Sequence, residues 1–204
     1  MLIGILADIH EEVDLLRRAL EEFRRCSADL VVTLGDACDI LLTDSRADDV
    51  VRLLKEVQAV GVWGNHDVVL CFDQSDRVRQ RYSPEVLAYM TSLHGHLTVE
   101  DCLFSHVEPW LDPHDPLQLW YYEDLPDTCE KIQRTFQAVP QRFVFIGHFH
   151  RWQLITPSGP VAWDGVQPIV IDSEARYLIA VAPVCFGHCA LFDTIRRELR
   201  PVRV

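Results

Sequence analysis

The sequence predicts an α/β fold, and three observations predict it: apolar runs of strand length that close on polar fragments, helical periodicities between those runs, and a later stretch of closely spaced strand-like segments. Alternating strand and helix calls for βαβ crossovers and parallel pairing. The β-rich last part is expected to supply a second sheet packed on the first. With 204 residues, 49% of them hydrophobic, the chain can bury one sizeable core. The lack of an internal repeat or linker points to a single domain over residues 1–204.

Residues 2–7 read as a buried strand, and within 12–25 Val13, Leu16, Leu20 and Phe23 recur at helical spacing. A second strand covers 30–34, a second helix lies near 47–58, and a third strand lies near 59–63. Ser83 is a good N-cap, and with Pro84 and Glu85 after it another helix is expected to begin there. After about Leu97 come a short strand at 103–104, an aromatic loop at 107–125, a helix over roughly 127–139 and a strand at 143–146. Short strands at 152–156, 169–172, 177–181, 190–193 and 198–202 follow, punctuated by turns such as 157–160.

A net charge of −12 opposes broad binding to a nucleic-acid backbone. No apolar run is long enough to span a bilayer, and the N-terminus lacks the basic region and cleavage site of a signal peptide, so no membrane association is expected. The seven cysteines (26, 38, 71, 102, 129, 185 and 189) include no CxxC pair and mostly sit beside apolar residues. That pattern suits buried thiols in a reducing compartment, and a cytoplasmic location is expected.

Five polar fragments close the apolar runs: Asp8-Ile9-His10, Gly35-Asp36-Ala37-Cys38-Asp39, Gly64-Asn65-His66-Asp67, Ser105-His106 and Gly147-His148-Phe149-His150. In an open α/β sheet, ligands and chemistry collect at such strand ends. Asp8 and His10, one residue apart, can project to the same side and offer a carboxylate oxygen and an imidazole nitrogen. Asp36 follows Gly35, where the backbone can turn tightly, and its carboxylate could bridge two cations. Asn65 is a neutral oxygen donor, and His106, His148 and His150 add nitrogens. Mixed Asp, Asn and His donors favour Mn²⁺, with Fe or Zn²⁺ as alternatives, over thiolate zinc or oxygen-only Ca²⁺ and Mg²⁺ sites.

As an ordered set over residues 8–150, these fragments resemble the calcineurin-like metallophosphoesterase superfamily. The resemblance implies a four-layer α/β/β/α sandwich of two mixed β-sheets flanked by helices, with a dimetal site at the strand ends. It further implies two divalent or trivalent metal ions, one held by Asp8, His10, Asp36 and His150 and the other by Asp36, Asn65, His106 and His148. His66 matches the catalytic histidine, Asp39 the carboxylate that orients it, and Asp67 a supporting group behind the ligands. The reaction implied is hydrolysis of a phosphomonoester or phosphodiester by a hydroxide bridging the two ions, with His66 as general acid or charge stabiliser.

Departures from the family's branches bear on substrate. Protein serine/threonine phosphatases place an arginine after the second aspartate of GDxxD, where this chain has Ile40, which disfavours a protein substrate. Many small bacterial phosphodiesterases replace the catalytic histidine that is kept here as His66. The expected partner is a small phosphorylated substrate, with a nucleotide among the candidates. Alternatives are a nucleotide pyrophosphohydrolase of the dinucleoside polyphosphate type and a non-catalytic scaffold of the same fold, whose usual mark is a broken site.

The loop at 107–123 carries Trp110, Trp120, Tyr121, Tyr122 and Glu123. Packing against the domain or against a second subunit is the first expectation for its aromatics. Stacking of Trp110, Trp120 and Tyr121 on a planar substrate group is the alternative. His94 and His96 read as turn histidines, and Cys185, His188 and Cys189 lack a fourth ligand. Glu11, Glu12, Glu21 and Glu22 read as a solvated helix face and its first turn.

Overall fold

The computed structural model describes residues 1–72, 75–121, 125–172 and 174–204. Its first unit is strand, helix, strand: β1 (Leu2–Leu6), α1 (Val13–Arg25), β2 (Leu30–Leu34), α2 (Ala47–Glu56) and β3 (Val60–Val62). The three strands pair in parallel, with Ile5 opposite Val32 and Thr33 opposite Gly61. α1 buries Val13, Leu16, Ala19, Leu20 and Phe23 on one face, and each fully buried Leu or Phe contributes about 1.5–3 kcal/mol.

Three short helices follow, α3 (Val68–Phe72), α4 (Asp76–Arg81) and α5 (Pro84–Met90), the last capped as expected by the Ser83 side chain, which accepts from the Val86 amide. Next come β4 (His96–Val99), β5 (Cys102–Ser105), α6 (Pro116–Leu119), α7 (Cys129–Ala138) and β6 (Phe143–Ile146). The chain then runs through β7 (Gln153–Thr156), β8 (Gly159–Pro160), β9 (Ile169–Val170), β10 (Tyr177–Ala180), a 3₁₀ turn (Val184–Phe186), β11 (His188–Asp193) and β12 (Glu198–Arg203).

Two mixed six-stranded sheets result, in the orders β3-β2-β1-β11-β12-β9 and β4-β5-β6-β10-β7-β8. Successive side chains of a strand point to opposite faces, and this alternation divides the core. Ile3, Ile5, Val32, Leu34 and Phe192 of the first sheet meet Phe104, Phe145 and Ile179 of the second in an apolar layer between them. Leu6, Val31 and Leu191 face outward to α1, α2 and α5, while Leu103, Val144 and Leu178 face α7. The four layers match the expected sandwich.

The partition of strands corrects the sequence reading in one respect. The β-rich last part does not form the second sheet by itself. β7, β8 and β10 join β4, β5 and β6, whereas β9, β11 and β12 complete the first sheet, with β11 antiparallel beside β1 and Leu2 opposite Asp193. Cys189, Ala190, Leu191 and Phe192 of β11 are all buried, so this strand needs cover on both faces and takes a central place. α3, α4 and α6 carry no helical signal in the sequence, because four to six residues are too few to establish a periodicity. Among the described residues no helix is long and apolar enough to cross a membrane.

Candidate metal centre

The loops after β1, β2, β3, β5 and β6 meet, and they bring together all seven of the expected ligands. Their backbone is bent in an unusual way. Asp8 (φ 49°), His10 (46°), Asp36 (52°), His148 (65°) and His150 (52°) lie in the left-handed region, half of the ten described non-glycine residues that do. Such conformations cost of order 1–3 kcal/mol each, and they persist where surrounding bonds over-determine them. Here the Asp8 amide donates to Gly35 O (3.2 Å), the His10 amide to Asp36 O (2.9 Å) and the Gly147 amide to His106 O (3.1 Å). Gly35 turns at φ 92°, and a Cβ on Gly64 would lie 2.1 Å from Asp36 Oδ1, so the Asp36 carboxylate occupies the space of the missing side chain.

At one end of the site, His10 Nε2 and His150 Nε2 are 3.3 Å apart, with His150 Nε2 3.4 Å from Asp8 Oδ1 and His10 Nε2 3.7 Å from Asp36 Oδ2. At the other, Asn65 Oδ1 lies 2.7 Å from His106 Nε2 and 3.0 Å from His148 Nδ1, and His106 Nε2 lies 3.4 Å from Asp36 Oδ2. His106 Nδ1 donates to the Leu34 carbonyl at 2.7 Å, which can only accept, and this leaves Nε2 as the ring atom aimed into the site. Imidazole nitrogen, amide oxygen and carboxylate thus converge, a ligand set that fits metal ions. Asp8, His10 and His150 form one group with ligand atoms in range of a single ion, and Asp8, Asp36 and His106 another.

The electrostatics agree with this fit. Burial and the Asp8 carboxylate push Asp36 up to about 8. Asp8 is also driven up by burial, but the hydrogen bond from His150 and the pull of the neighbouring imidazoles outweigh that, and it stays below the ordinary value. Burial lowers His10, and burial with His106 beside it lowers His148 to about 3, so both are neutral near pH 7, as ligands must be.

Asp39 receives His66 Nδ1–H at 2.9 Å, as expected. It also lies 3.3 Å from His10 Nδ1, a contact the sequence did not suggest, so one carboxylate faces two imidazoles. Burial would raise Asp39, but the hydrogen bonds from His66 and the Leu41 amide and the charges of the two imidazoles hold it below the usual range. Asp67, fully buried, accepts from the Ala37 amide (2.8 Å) and the Gly64 amide (2.6 Å) and ties the Asp36 and Asn65 loops together. Glu11 departs from the sequence reading: it is buried, not solvated, with φ 62°. Its carboxylate accepts from the Asp39 amide (3.1 Å), the Ser45 hydroxyl (3.0 Å) and the Arg46 amide, anchoring the loop that carries Asp39. A carboxylate at a helix start looks solvated in sequence; only the fold supplies those donors.

The aromatic loop divides. Trp110 lies under the Arg134 guanidinium (3.7 Å to the ring centroid) and Tyr121 faces Lys131 at 5.5 Å, so both engage α7 in the packing role. Trp120 instead sits beside His66, ring centroids 4.8 Å apart, and remains 46% exposed. Tyr122 and Glu123 lie outside the described residues. Phe186, which no sequence pattern singles out, stands edge-on to His150 at 5.7 Å and is 65% exposed. Neither the His94 and His96 pair nor Cys185, His188 and Cys189 falls in a metal-binding group among the described residues.

A family model described as the calcineurin-like phosphoesterase superfamily domain matches residues 1–162. Comparison with curated proteins finds no match. Among solved structures, a metallophosphoesterase from Sphaerobacter thermophilus is similar at 21% identity and a TM-score of 0.76, over 100% of this chain and 88% of that one. A hypothetical protein from Pyrococcus horikoshii OT3 is similar at 12% identity and a TM-score of 0.71, over 100% and 87%. An archaeal phosphodiesterase is similar at 15% identity and a TM-score of 0.57, over 100% of both chains. At these identities the likeness is one of fold.

Proposed function

Because the chain belongs to the calcineurin-like phosphoesterase superfamily, we propose that it hydrolyses a phosphoester bond in a small phosphorylated substrate at a pair of metal ions. Asp8, His10, Asp36 and His150 would hold one ion, and Asp36, Asn65, His106 and His148 the other, with Asp36 shared. Mn²⁺ suits the mixed nitrogen and oxygen donors, with Fe or Zn²⁺ as alternatives. The observation that carries the reading is the convergence, in a buried site, of His106 Nε2 with Asn65 Oδ1 at 2.7 Å and Asp36 Oδ2 at 3.4 Å, an imidazole nitrogen, an amide oxygen and a carboxylate that together make a metal-ligand set. When bound, the ions would lower the pKa of a water toward neutrality and offset charge on the phosphoryl oxygens.

The chain's own residues then manage position and proton. The His66 amide donates to Asp36 Oδ1 at 2.9 Å, which fixes His66 next to the shared carboxylate. With Nδ1–H engaged by Asp39, Nε2 is the atom that meets the substrate. As a bond forms from a water oxygen to phosphorus, the bond from phosphorus to the leaving oxygen breaks. His66 Nε2 gives its proton to that oxygen, and solvent restores it while the water's proton is released. A reducing, cytoplasmic setting would suit a chain in which Cys38, Cys71, Cys102 and Cys189 are buried.

The test is direct. Mn²⁺-loaded protein should release p-nitrophenol from bis-p-nitrophenyl phosphate or p-nitrophenyl phosphate, and chelator-stripped protein should not. Failure to cleave either, together with substoichiometric metal, would sink the proposal.

A further inference from the structure

The site lies within an unbroken chain of ring contacts: Trp120 to His66 (4.8 Å), His66 to His10 (4.7 Å), His10 to His150 (5.2 Å) and His150 to Phe186 (5.7 Å). Its three inner members are site histidines and its two ends are exposed aromatics. Both ends are held in place. Trp120 closes α6, its amide donating to Pro116 O at 3.0 Å, and the preceding loop is pinned where Trp63 Nε1 donates to Pro113 O at 2.9 Å. Phe186 ends the 3₁₀ turn, which is fastened to the end of β1 by the Val184 amide on Ala7 O (2.7 Å) and the Cys185 amide on Asp8 O (3.2 Å). A large ring held rigid yet open to solvent has already met the ordering cost of binding a planar group.

The two rings serve different sides of the phosphorus. Trp120 adjoins His66, the group that faces the leaving oxygen. Phe186 adjoins His150, at the other end of the row, where a departing group would not be. A ring there has a use only if a substituent stays on the phosphorus. Resting on the phosphoesterase reading above, we infer that the substrate is a phosphodiester with a planar group on each side: Trp120 stacks on the leaving group and Phe186 on the group retained. Monoesters, which lack the second substituent, would use half of the site.

Three probes on the Mn²⁺-loaded full chain separate these roles: bis-p-nitrophenyl phosphate, with planar groups on both sides; methyl p-nitrophenyl phosphate, with one on the leaving side; and p-nitrophenyl phosphate. The KM for the bis-aryl diester should lie about tenfold below that for the methyl diester. Phe186→Ala should collapse that ratio toward one, Phe186→Tyr should restore it, and Trp120→Ala should raise KM for both diesters while keeping the ratio. Calorimetric binding of diphenyl phosphate against methyl phenyl phosphate reads the same discrimination without turnover. A ratio near one in the wild type, or a ratio that survives Phe186→Ala, overturns the inference and leaves the phosphoesterase reading standing. No turnover of any probe by the metal-loaded protein removes both.

Discussion

Asp36, Asn65 and His106 keep 1–3% of their surface in solvent, whereas at the other end of the site the side chains of His10 and His150 keep 15% and 35%. The buried end is made of strand-end residues locked between the two sheets, with His106 bonded to Leu34 of β2. The open end is made of His10 and His150, with Phe186 edge-on to His150. The difference suggests a division of labour in which the dry end fixes charge and position and the wet end admits water and substrate. A low-dielectric, water-excluded setting strengthens every interaction there and raises the cost of any unpaired charge.

The harshest break of this comparison is Asp36→Ala, which removes the carboxylate common to both ends. Both metals should be lost together by elemental analysis, and turnover should fall by at least about 10³-fold. His66→Ala should lower turnover by about 10²- to 10⁴-fold with metal content preserved, and the loss should grow as the leaving group worsens. Full activity on an alkyl ester would show that His66 carries no proton to the leaving oxygen.

The contrast between wet and dry is sharpened by paired deletions. His150→Ala opens a space that solvent reaches, so added imidazole should recover about tenfold or more of the lost metal affinity, comparable to what a ligand-supporting contact is worth. His106→Ala leaves its space sealed behind Leu34 and should not respond. Equal rescue of the two would erase the distinction.

The smallest effect is on stability. In the metal-free fold, burial and a neighbouring carboxylate raise both Asp36 and Asp67 to about 8, so the folded chain holds protons that the unfolded chain has released, and stability falls as pH rises. His150, raised by its hydrogen bond to Asp8, acts in the same direction: its contribution is lost as pH climbs through its folded pKa. His10 and His148, lowered chiefly by burial, act oppositely, but only below their ordinary 6.5. Between pH 6.5 and 8 the melting temperature of chelator-treated protein should therefore drop by about 2–4 °C or more, and Mn²⁺ should abolish the drop. A level or rising curve without metal would contradict the buried-carboxylate account.

The expected ligands were legible because their pattern is written locally: each lies within a few residues of the end of an apolar run that reads as a buried strand. Helices with a full apolar stripe, such as α1, were legible for the same reason. What escaped was set by contacts between distant residues. Phe186 reaches the site through amides of Val184 and Cys185 bonded to Ala7 and Asp8. The burial of Glu11 depends on donors from Asp39, Ser45 and Arg46. The place of β11 depends on pairing with a strand almost the whole chain away. Trp120 and Trp110, ten residues apart in one loop, have the same chemistry and opposite fates, which no local pattern distinguishes.

β11 lies between β1 and β12, and β10 lies between β6 and β7. The segment matched by the family model ends at residue 162, before either of these central strands begins. During synthesis, β1 emerges long before β11 and keeps one edge unpaired until that antiparallel neighbour exists. Closure of the first sheet, and with it the fastening of Asp8 and Phe186, is therefore a late and non-local event, slow by the same entropy that penalises any long loop. Until then the exposed edge of β1 is open to wrong partners. The last strands of this chain thus act as the latch that makes its first loop a site.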